Sequence, residues 1–182
     1  MPAYAYAILV LGWVAWFTPF FLIKRTGEKA KQVDKRARLG IFVVMIAYSL
    51  LWQGKFWLHP PAAWRVALAI LFFAAAALLS WTATRALGKQ WRVDAGLSAN
   101  HELVIDGPYR VVRHPIYTSM LGVLLGTGFL VSPWWLLLPA LGLFFIGTEI
   151  RVRIEDSLLR GQFGAKFEEY KSKVPAYLPF LI

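Results

Sequence analysis

Hydrophobic residues in this chain come in long unbroken segments rather than at a strand-like or helix-like period. Five segments are apolar along nearly their whole length, at residues 4–23, 39–58, 62–81, 116–131 and 134–150. A helix rises about 1.5 Å per residue, so about 20 apolar residues cross a hydrocarbon layer of about 30 Å. Inside lipid the backbone polar groups must bond to one another, which favours helices. The pattern predicts an all-α integral membrane protein with about five transmembrane helices.

The five segments are expected to form a single membrane domain, residues 1–182, because no linker or tandem repeat divides them. Residues 1–82 hold the first three spans. The second half, residues 83–182, is more polar and has three parts in order: a loop, a helical hairpin at 116–150 with a Ser-Pro turn, and a tail that continues the last span as an amphipathic helix. Because the polar side chains are concentrated in the loop and the tail, we expect the chemistry there.

The basic residues predict the orientation of the spans. Eighteen of the 20 Lys and Arg follow the first, third or fifth span, and only Lys55 and Arg65 fall on the other side. Cytoplasmic loops carry such an excess, so the N-terminus is expected outside and the C-terminus in the cytoplasm, in the inner membrane if the source is prokaryotic. The net charge of +10 therefore reads as a topology signal, and nucleic acid is not an expected partner.

Two other compositional features narrow the chemistry. The chain has no cysteine, which excludes thiol catalysis, disulfides and cysteine-based metal sites, and no metal site is expected. The fourth span carries Ser119, Gly122, Gly126 and Gly128. Small residues at this spacing let helices approach closely in lipid, and no strand precedes them as a nucleotide-binding loop would require. Helix packing is therefore the favoured interpretation.

The sequence GPYRVVRHPIY, residues 107–117, lies where the polar loop meets the fourth span. Pro115 is suited to the first position of a helix, which puts His114 at the N-cap. The free amides and the positive end of the helix dipole favour an anion there. The residues alone leave two interpretations open, a basic anchor at the membrane surface followed by a helix start, or a binding site.

The beginning of the tail, EIRVRIEDSLL, places Arg151 and Glu155 four residues apart and so on one helix face, with Asp156 one position further on. An ordinary surface ion pair is one interpretation. If the last two spans form a hairpin, however, the pair faces the His114 segment, and a partly desolvated ion pair beside that segment predicts a functional site. Gly161 and Gly164 are expected to mark a helix break.

Taken together, GPYRVVRHPIY, a short hairpin, RVRIEDSLL, FGAKFEEYKSKV and a final LPF, with LGKQW and HELV upstream, resemble the isoprenylcysteine carboxyl methyltransferase family. The resemblance runs from about residue 87 to residue 180, and the first three spans match only as spans. It implies an integral membrane methyltransferase that uses S-adenosylmethionine. In such proteins the cofactor lies in a cytoplasmic pocket under the loop and tail, and a lipophilic or lipidated substrate enters from the bilayer.

The resemblance also assigns residues. Arg151, Glu155 and Tyr117 are implied as catalytic, and Asp156 stands where the family usually has a second glutamate. The residues implied to contact the cofactor are His101, Leu103, Val104, Gly107, Tyr109, Arg113, His114, Pro115, Tyr117 and Glu155.

The reaction would consist mainly of holding acceptor and methyl group in line. A carboxylate acceptor needs no base and could be oriented by Arg151. A phenol or thiol acceptor would have to lose a proton, with Glu155 or His114 as the candidate base. A prenylcysteine carboxylate is the expected acceptor, and phospholipid amines, phenolic lipids and thiols remain open.

Two other classes share part of the pattern. Membrane sterol reductases that use NADPH carry a similar RHP-x-Y segment, although theirs resembles RHPNY followed by Gly and Glu, whereas this chain has Ile116, Thr118 and Ser119. A membrane protein that binds a small molecule without catalysis is the third possibility. Binding of S-adenosylmethionine or NADPH separates the three.

Overall fold

The computed structural model describes residues 1–23, 32–92, 95–97 and 102–179, and it is mostly helical. These residues form six α-helices and one pair of two-residue strands. The helices are α1 (Ala3–Leu22), α2 (Ala37–Leu50), α3 (Ala63–Leu87), α4 (Pro115–Val131), α5 (Trp134–Phe163) and α6 (Ala165–Lys173). The strands are β1 (Gln32–Val33) and β2 (Gly96–Leu97).

Three stretches of helix in the described part of the chain are long and apolar enough to cross a membrane, Ala3–Leu22, Ala63–Gln90 and Trp134–Phe163. The other two apolar helices are shorter, with 14 residues in α2 and 17 in α4. At about 1.5 Å per residue they fall short of the about 30 Å of a hydrocarbon core. All five predicted spans thus contain a helix, whereas the number of complete crossings stays a prediction.

The second predicted span, 39–58, is wrong in its length. Helix α2 ends at Leu50, and a separate 3-10 turn covers Phe56–Leu58. Lys55 between them has a φ of 51°, in the left-handed region that a non-glycine residue rarely adopts and an α-helix cannot contain. The third span errs in the opposite direction, because α3 continues to Leu87.

The two strands were not expected in an all-α protein. Strand β1 pairs antiparallel with β2, so that Gln32 lies opposite Leu97 and Val33 opposite Gly96. The backbone N–H of Asp34 extends the pairing by donating to the Ala95 carbonyl at 3.1 Å. A two-residue strand is too short to leave a periodic pattern in the sequence. Its effect is to join the segment that precedes α2 to the loop that follows α3.

Helix α4 packs against α3, and its small residues make the close approach possible. A Cβ atom on Gly122 would lie 3.0 Å from the Ala76 Cβ, and one on Gly126 would lie 3.0 Å from the Phe73 ring. The predicted role of these glycines in helix packing is confirmed.

Helix α5 packs against α2 through a glycine on each helix. A Cβ on Gly40 would lie 2.5 Å from the Gly147 carbonyl oxygen and 2.7 Å from the Arg151 Cγ, and a Cβ on Gly147 would lie 2.7 Å from the Gly40 oxygen. The two backbones are therefore in direct contact. This contact therefore sets the position of the Arg151 side chain relative to α2.

The hairpin and the tail follow the predicted order. Helices α4 and α5 are separated only by Ser132 and Pro133, and α5 runs without interruption from the apolar segment into the amphipathic tail. The predicted break occurs at Gly164, whose φ of 53° ends α5 before α6 begins. The break expected at Gly161 is wrong, because that residue lies inside α5.

Candidate functional site

The site is built where α4 begins. Pro115 is the first residue of α4 and His114 is its N-cap, as the sequence predicts. The backbone N–H groups of Arg113 and His114 donate to the carbonyl oxygens of Pro175 and Ala176 at 2.8 and 2.7 Å. The segment that follows α6 is thereby bonded alongside the start of α4, so loop, hairpin and tail meet at one point.

Three side chains from α4 and α5 form the centre of the site. Arg151 Nε donates a hydrogen bond to the Tyr117 hydroxyl at 2.6 Å, and Arg151 also contacts Glu155 Oε1 at 2.9 Å. The Tyr117 hydroxyl in turn donates to the same Glu155 oxygen. Burial of Arg151, which is 7% exposed, makes these contacts much stronger than those of a surface pair. The ion pair predicted from the i, i+4 spacing exists, and it is not on the surface.

His114 lies between the two adjacent carboxylates of α5. Its Nε2 is 3.0 Å from Asp156 Oδ1 and its Nδ1 is 3.4 Å from Glu155 Oε2. Burial alone would lower the pKa of His114, but the hydrogen bonds and charges of Asp156 and Glu155 outweigh it, and the pKa is raised above its ordinary value. These contacts therefore favour the protonated imidazole more than water does.

Arg113 holds the tail against this cluster. Its guanidinium contacts Asp156 Oδ2 at 3.0 Å and donates to the carbonyl oxygens of Val174 and Lys171. The Lys171 ammonium lies 3.0 Å from the same Asp156 oxygen. Asp156 is therefore a common partner of α6, of the segment before α4, and of His114.

A cavity of about 600 Å³ opens over these side chains. Its polar lining comes from the loop, α4, α5 and α6: Glu102, Tyr109, Arg113, His114, Tyr117, Thr148, Arg151, Glu155 and Tyr170. Its apolar lining comes mainly from α1 and α2: Trp13, Trp16, Phe17, Phe20, Phe21, Ile41, Val44, Met45 and Tyr48. A ligand with a charged head and a hydrocarbon body would find both polar and apolar surface there.

Two buried polar atoms of cavity-lining residues have no hydrogen-bond partner among the described residues. They are Arg113 Nε and Thr148 Oγ1. Buried donors and acceptors are nearly always paired, so these two atoms are exceptions in the site. The lining as a whole, with guanidinium groups and hydroxyls beside aromatic rings and carboxylates, has the chemistry to hold the carboxylate, amine and adenosyl groups of S-adenosylmethionine.

Most of the residues that the sequence analysis singled out lie together. Eight of them line the cavity: Leu103, Val104, Tyr109, Arg113, His114, Tyr117, Arg151 and Glu155. Pro115 is buried at the first turn of α4, and Gly107 begins the short 3-10 turn Gly107–Arg110 with a φ of 60°. Both shape the backbone around the cavity rather than its wall. His101 lies outside the described residues.

Sequence reasoning missed several cavity residues. Tyr170 on α6 reaches the cavity and donates to the Tyr109 carbonyl at 2.6 Å. Trp91 also lines the cavity and contacts Phe20, with ring centroids 5.1 Å apart. The only sequence signal for Tyr170 was its place in the quoted FGAKFEEYKSKV motif. Trp91 stands in LGKQW, where an aromatic among polar residues was the available signal.

Among the described residues there is no group of three or more His, Asp and Glu side chains that could hold a metal ion.

These features together define a helical membrane protein with a cluster of polar side chains on the lining of a largely apolar cavity. The sequence profile of the phospholipid methyltransferase family matches residues 64–166, which include most of α3, all of α4, the polar cluster of His114, Tyr117, Arg151 and Glu155, and the start of α6. The chain belongs to this family.

Similar proteins extend the comparison. A probable protein-S-isoprenylcysteine O-methyltransferase of Oryza sativa subsp. indica is 37% identical over 82 residues, which cover 44% of this chain and 42% of that protein. The protein-S-isoprenylcysteine O-methyltransferase of Schizosaccharomyces pombe is 36% identical over 83 residues, 45% of this chain and 35% of the relative. The chain therefore spans less than half the length of these relatives. The resemblance to the isoprenylcysteine methyltransferases is confirmed.

One relative matches over a longer range. The cobalt-zinc-cadmium resistance protein CzcN of Cupriavidus metallidurans is 28% identical over 154 residues, which cover 80% of this chain and 65% of that protein. This match is nearly twice as long as the matches to the isoprenylcysteine methyltransferases.

Proposed function

We propose that this protein is a membrane methyltransferase that transfers a methyl group from S-adenosylmethionine to a carboxylate on a lipophilic molecule of the prenylcysteine type. One observation carries the proposal. The cluster of His114, Tyr117, Arg151 and Glu155 lines a cavity together with apolar side chains of the membrane helices α1 and α2. That arrangement suits an acceptor with one charged group on a hydrocarbon body.

S-adenosylmethionine would supply an activated methyl group. An O–CH₃ bond forms on the acceptor as the S–CH₃ bond breaks, and the electron pair of the broken bond stays on the sulfur, which becomes a neutral thioether. The carboxylate is already deprotonated, so the protein needs no base for this acceptor. What remains for the side chains is to place the oxygen in line and to exclude water, effects that can lower a barrier by about 7–11 kcal/mol. A cavity lined in part by the loop and the tail is suited to both purposes.

Arg151 is the residue expected to orient the acceptor carboxylate. Its guanidinium is held by hydrogen bonds to Tyr117 and Glu155. The contact between Gly40 and Gly147 sets the position of its side chain relative to α2. A planar guanidinium binds carboxylates through two parallel hydrogen bonds, which specifies their direction as well as their position. Tyr117 and Glu155 therefore contribute by holding the arginine in place.

The charge of the cluster favours an anionic acceptor. Two carboxylates, Glu155 and Asp156, face four cationic groups, and the set carries a surplus of positive charge when His114 is protonated. The cationic groups are Arg113, His114, Arg151 and Lys171. A buried surplus of positive charge attracts a carboxylate and repels an ammonium group, so a phospholipid amine is the less suitable acceptor.

The donor is expected to lie toward the loop and tail. Tyr109 and Tyr170 form the wall there, and burial raises the pKa of both phenols, so both stay protonated as hydrogen-bond donors. Arg113 and Thr148 also line the cavity and offer a guanidinium and a hydroxyl to polar groups of the donor. His101, Leu103 and Val104 remain the expected contacts of the adenosine.

The topology expected from the basic residues belongs to the same proposal. With the N-terminus outside and the C-terminus in the cytoplasm, the cluster at the end of α5 would face the compartment that contains the donor. A tag at the C-terminus is then cleaved by protease only from the cytoplasmic side. Cleavage from the opposite side would reverse the orientation without changing the site.

Two experiments with detergent-purified protein test the function. Radiolabelled S-adenosylmethionine should bind and NADPH should not; the opposite result would favour a reductase, and binding of neither would favour a non-catalytic protein.

In vesicles, an N-acetyl prenylcysteine should receive a label that alkali releases as methanol. A label transferred only to phosphatidylethanolamine, stable to alkali, would replace the carboxylate acceptor by an amine.

A further inference from the structure

Asp156 is buried at the site but is not part of the cavity wall. Its side chain is 6% exposed, and it follows Glu155 on α5, whereas the residues that line the cavity include Glu155 and not Asp156. It therefore cannot touch a ligand in the cavity directly. Any effect on the reaction has to pass through the groups that it contacts.

Those groups are three cations from three parts of the chain. Asp156 Oδ1 lies 3.0 Å from His114 Nε2, while Oδ2 lies 3.0 Å from both the Arg113 guanidinium and the Lys171 ammonium. Of the three, His114 and Arg113 line the cavity and Lys171 does not. One carboxylate oxygen thus contacts the histidine, and the other contacts the two basic side chains.

The histidine is held from several directions. Glu155 Oε2 lies 3.4 Å from Nδ1, on the opposite side of the ring from Asp156. The Tyr117 ring stacks on the imidazole with centroids 5.6 Å apart, and the backbone N–H of His114 donates to Ala176. A carboxylate can only accept, so a carboxylate facing each ring nitrogen favours a proton on both.

We propose that Asp156 is a positioning residue that holds the His114 ring in place as an imidazolium, with both nitrogens donating. In that state His114 presents a fixed positive charge to the cavity, beside Glu155 and Tyr117. The proposal rests on the proposed function only for the use made of that charge. The state of the histidine is a property of the protein without ligands and can be measured separately.

A merely structural role for Asp156 predicts a different outcome. In that case its main task is to tie α6 to α5 through Lys171, and loss of either partner has the same effect. Lys171→Gln removes the tie to α6 and leaves the contact between Asp156 and His114. Glu169→Gln, which breaks an exposed pair with Lys173 on the same helix, is the matched control for the loss of a carboxylate.

The test is nitrogen NMR of detergent-purified full-length protein with ¹⁵N-labelled histidine, in which His114→Gln identifies the His114 signals. In the wild type both His114 ring nitrogens should carry protons at pH 7.5. In Asp156→Asn the pH of deprotonation should fall by about 1 to 3 units, the effect of losing an opposite charge at this distance. Glu169→Gln and Lys171→Gln should leave it within a few tenths of a unit.

Binding of S-adenosylhomocysteine gives a second readout. Asp156→Asn should weaken it at pH 7.5 and restore part of it at lower pH, where His114 regains its proton, and Asp156→Glu should retain more affinity than Asn. A neutral His114 in the wild type at pH 7.5 overturns the proposal even if no Asp156 variant folds. So does an equal titration shift in Lys171→Gln. If the histidine behaves as expected and no donor binds, the proposed function fails and the positioning role stands.

Discussion

The Arg151 guanidinium donates to the Tyr117 hydroxyl at 2.6 Å, and this hydrogen bond joins α5 to α4 across 34 positions of sequence. The same phenol donates to Glu155, so the tyrosine both accepts from the cation and donates to the anion of one ion pair. All three side chains line the cavity. The position of Arg151 in the site therefore depends on the distance between α4 and α5.

Removal of the phenol oxygen should disturb the arginine without emptying the site. Tyr117→Phe keeps the ring but takes a buried hydrogen-bond partner from Arg151. A hydrogen bond to a charged group contributes about 1.5–3 kcal/mol, which corresponds to a loss of turnover of about 10- to 100-fold. The measurement is transfer of radiolabelled methyl to a prenylcysteine acceptor. Tyr4→Phe, at an exposed tyrosine of α1, is the control, and equal activity of the two variants would contradict the role of the hydroxyl.

Replacement of Arg151 by lysine should raise the KM for the acceptor more than the KM for the donor. Lysine keeps the charge but lacks the planar fork that binds a carboxylate through two bonds and also contacts Tyr117. We expect about a tenfold increase or more in the acceptor KM, as for loss of one charge-assisted hydrogen bond. Arg153→Lys changes an exposed arginine two residues further along α5 and should have no effect. An unchanged acceptor KM in Arg151→Lys would remove the arginine from acceptor binding.

The largely buried Glu155 should matter far more than an exposed glutamate. Glu155→Gln removes the charge that faces Arg151 and His114, whereas Glu169→Gln removes one that pairs with Lys173 in solvent. Breaking a buried ion pair leaves an uncompensated charge, which costs about 3–5 kcal/mol. Turnover should fall by at least about 100-fold in the first variant, while the second keeps wild-type turnover. Similar losses in both would mean that the position of Glu155 has no special role.

Stability should fall as the pH rises above the ordinary pKa of histidine. The pKa of His114 is raised in the folded protein, since Asp156 and Glu155 outweigh burial. The protonated form therefore stabilises the fold fully below a pH of about 6.5, and this contribution declines as the pH passes through the folded pKa. Thermal unfolding in detergent between pH 6 and 9 measures it. His114→Gln should show a flatter profile, and an equally steep one would assign the decline to another group.

The contact between α2 and α5 should not tolerate a methyl group. In Gly147→Ala the new Cβ would lie 2.7 Å from the Gly40 oxygen and 2.8 Å from the Val44 side chain. Forcing the helices apart should cost about 1–3 kcal/mol and move Arg151, so activity should fall together with stability. Gly142→Ala is the matched control on the same helix, because nothing lies within 4 Å of its Cβ position and alanine favours a helix. A stable and active Gly147→Ala would show that the crossing can relax.

Much of the frame could be predicted from the sequence alone. Long apolar segments specify helices because lipid offers the backbone no hydrogen bonds, and Pro115 and Gly164 marked a helix start and a helix end correctly. The spacing of Arg151 and Glu155 also specified their shared face. These are local properties, determined by a few neighbouring residues.

Local sequence therefore specifies the helices, the membrane character and the motif residues. Long-range packing is visible only in the folded molecule, where α4 packs on α3, α5 packs on α2, and a cavity lies between these helices and α1. It also decided that Asp156 turns away from the cavity toward His114, Arg113 and Lys171. Such relationships depend on how close two backbones approach, and that distance is set by glycines and side chains far apart in the chain.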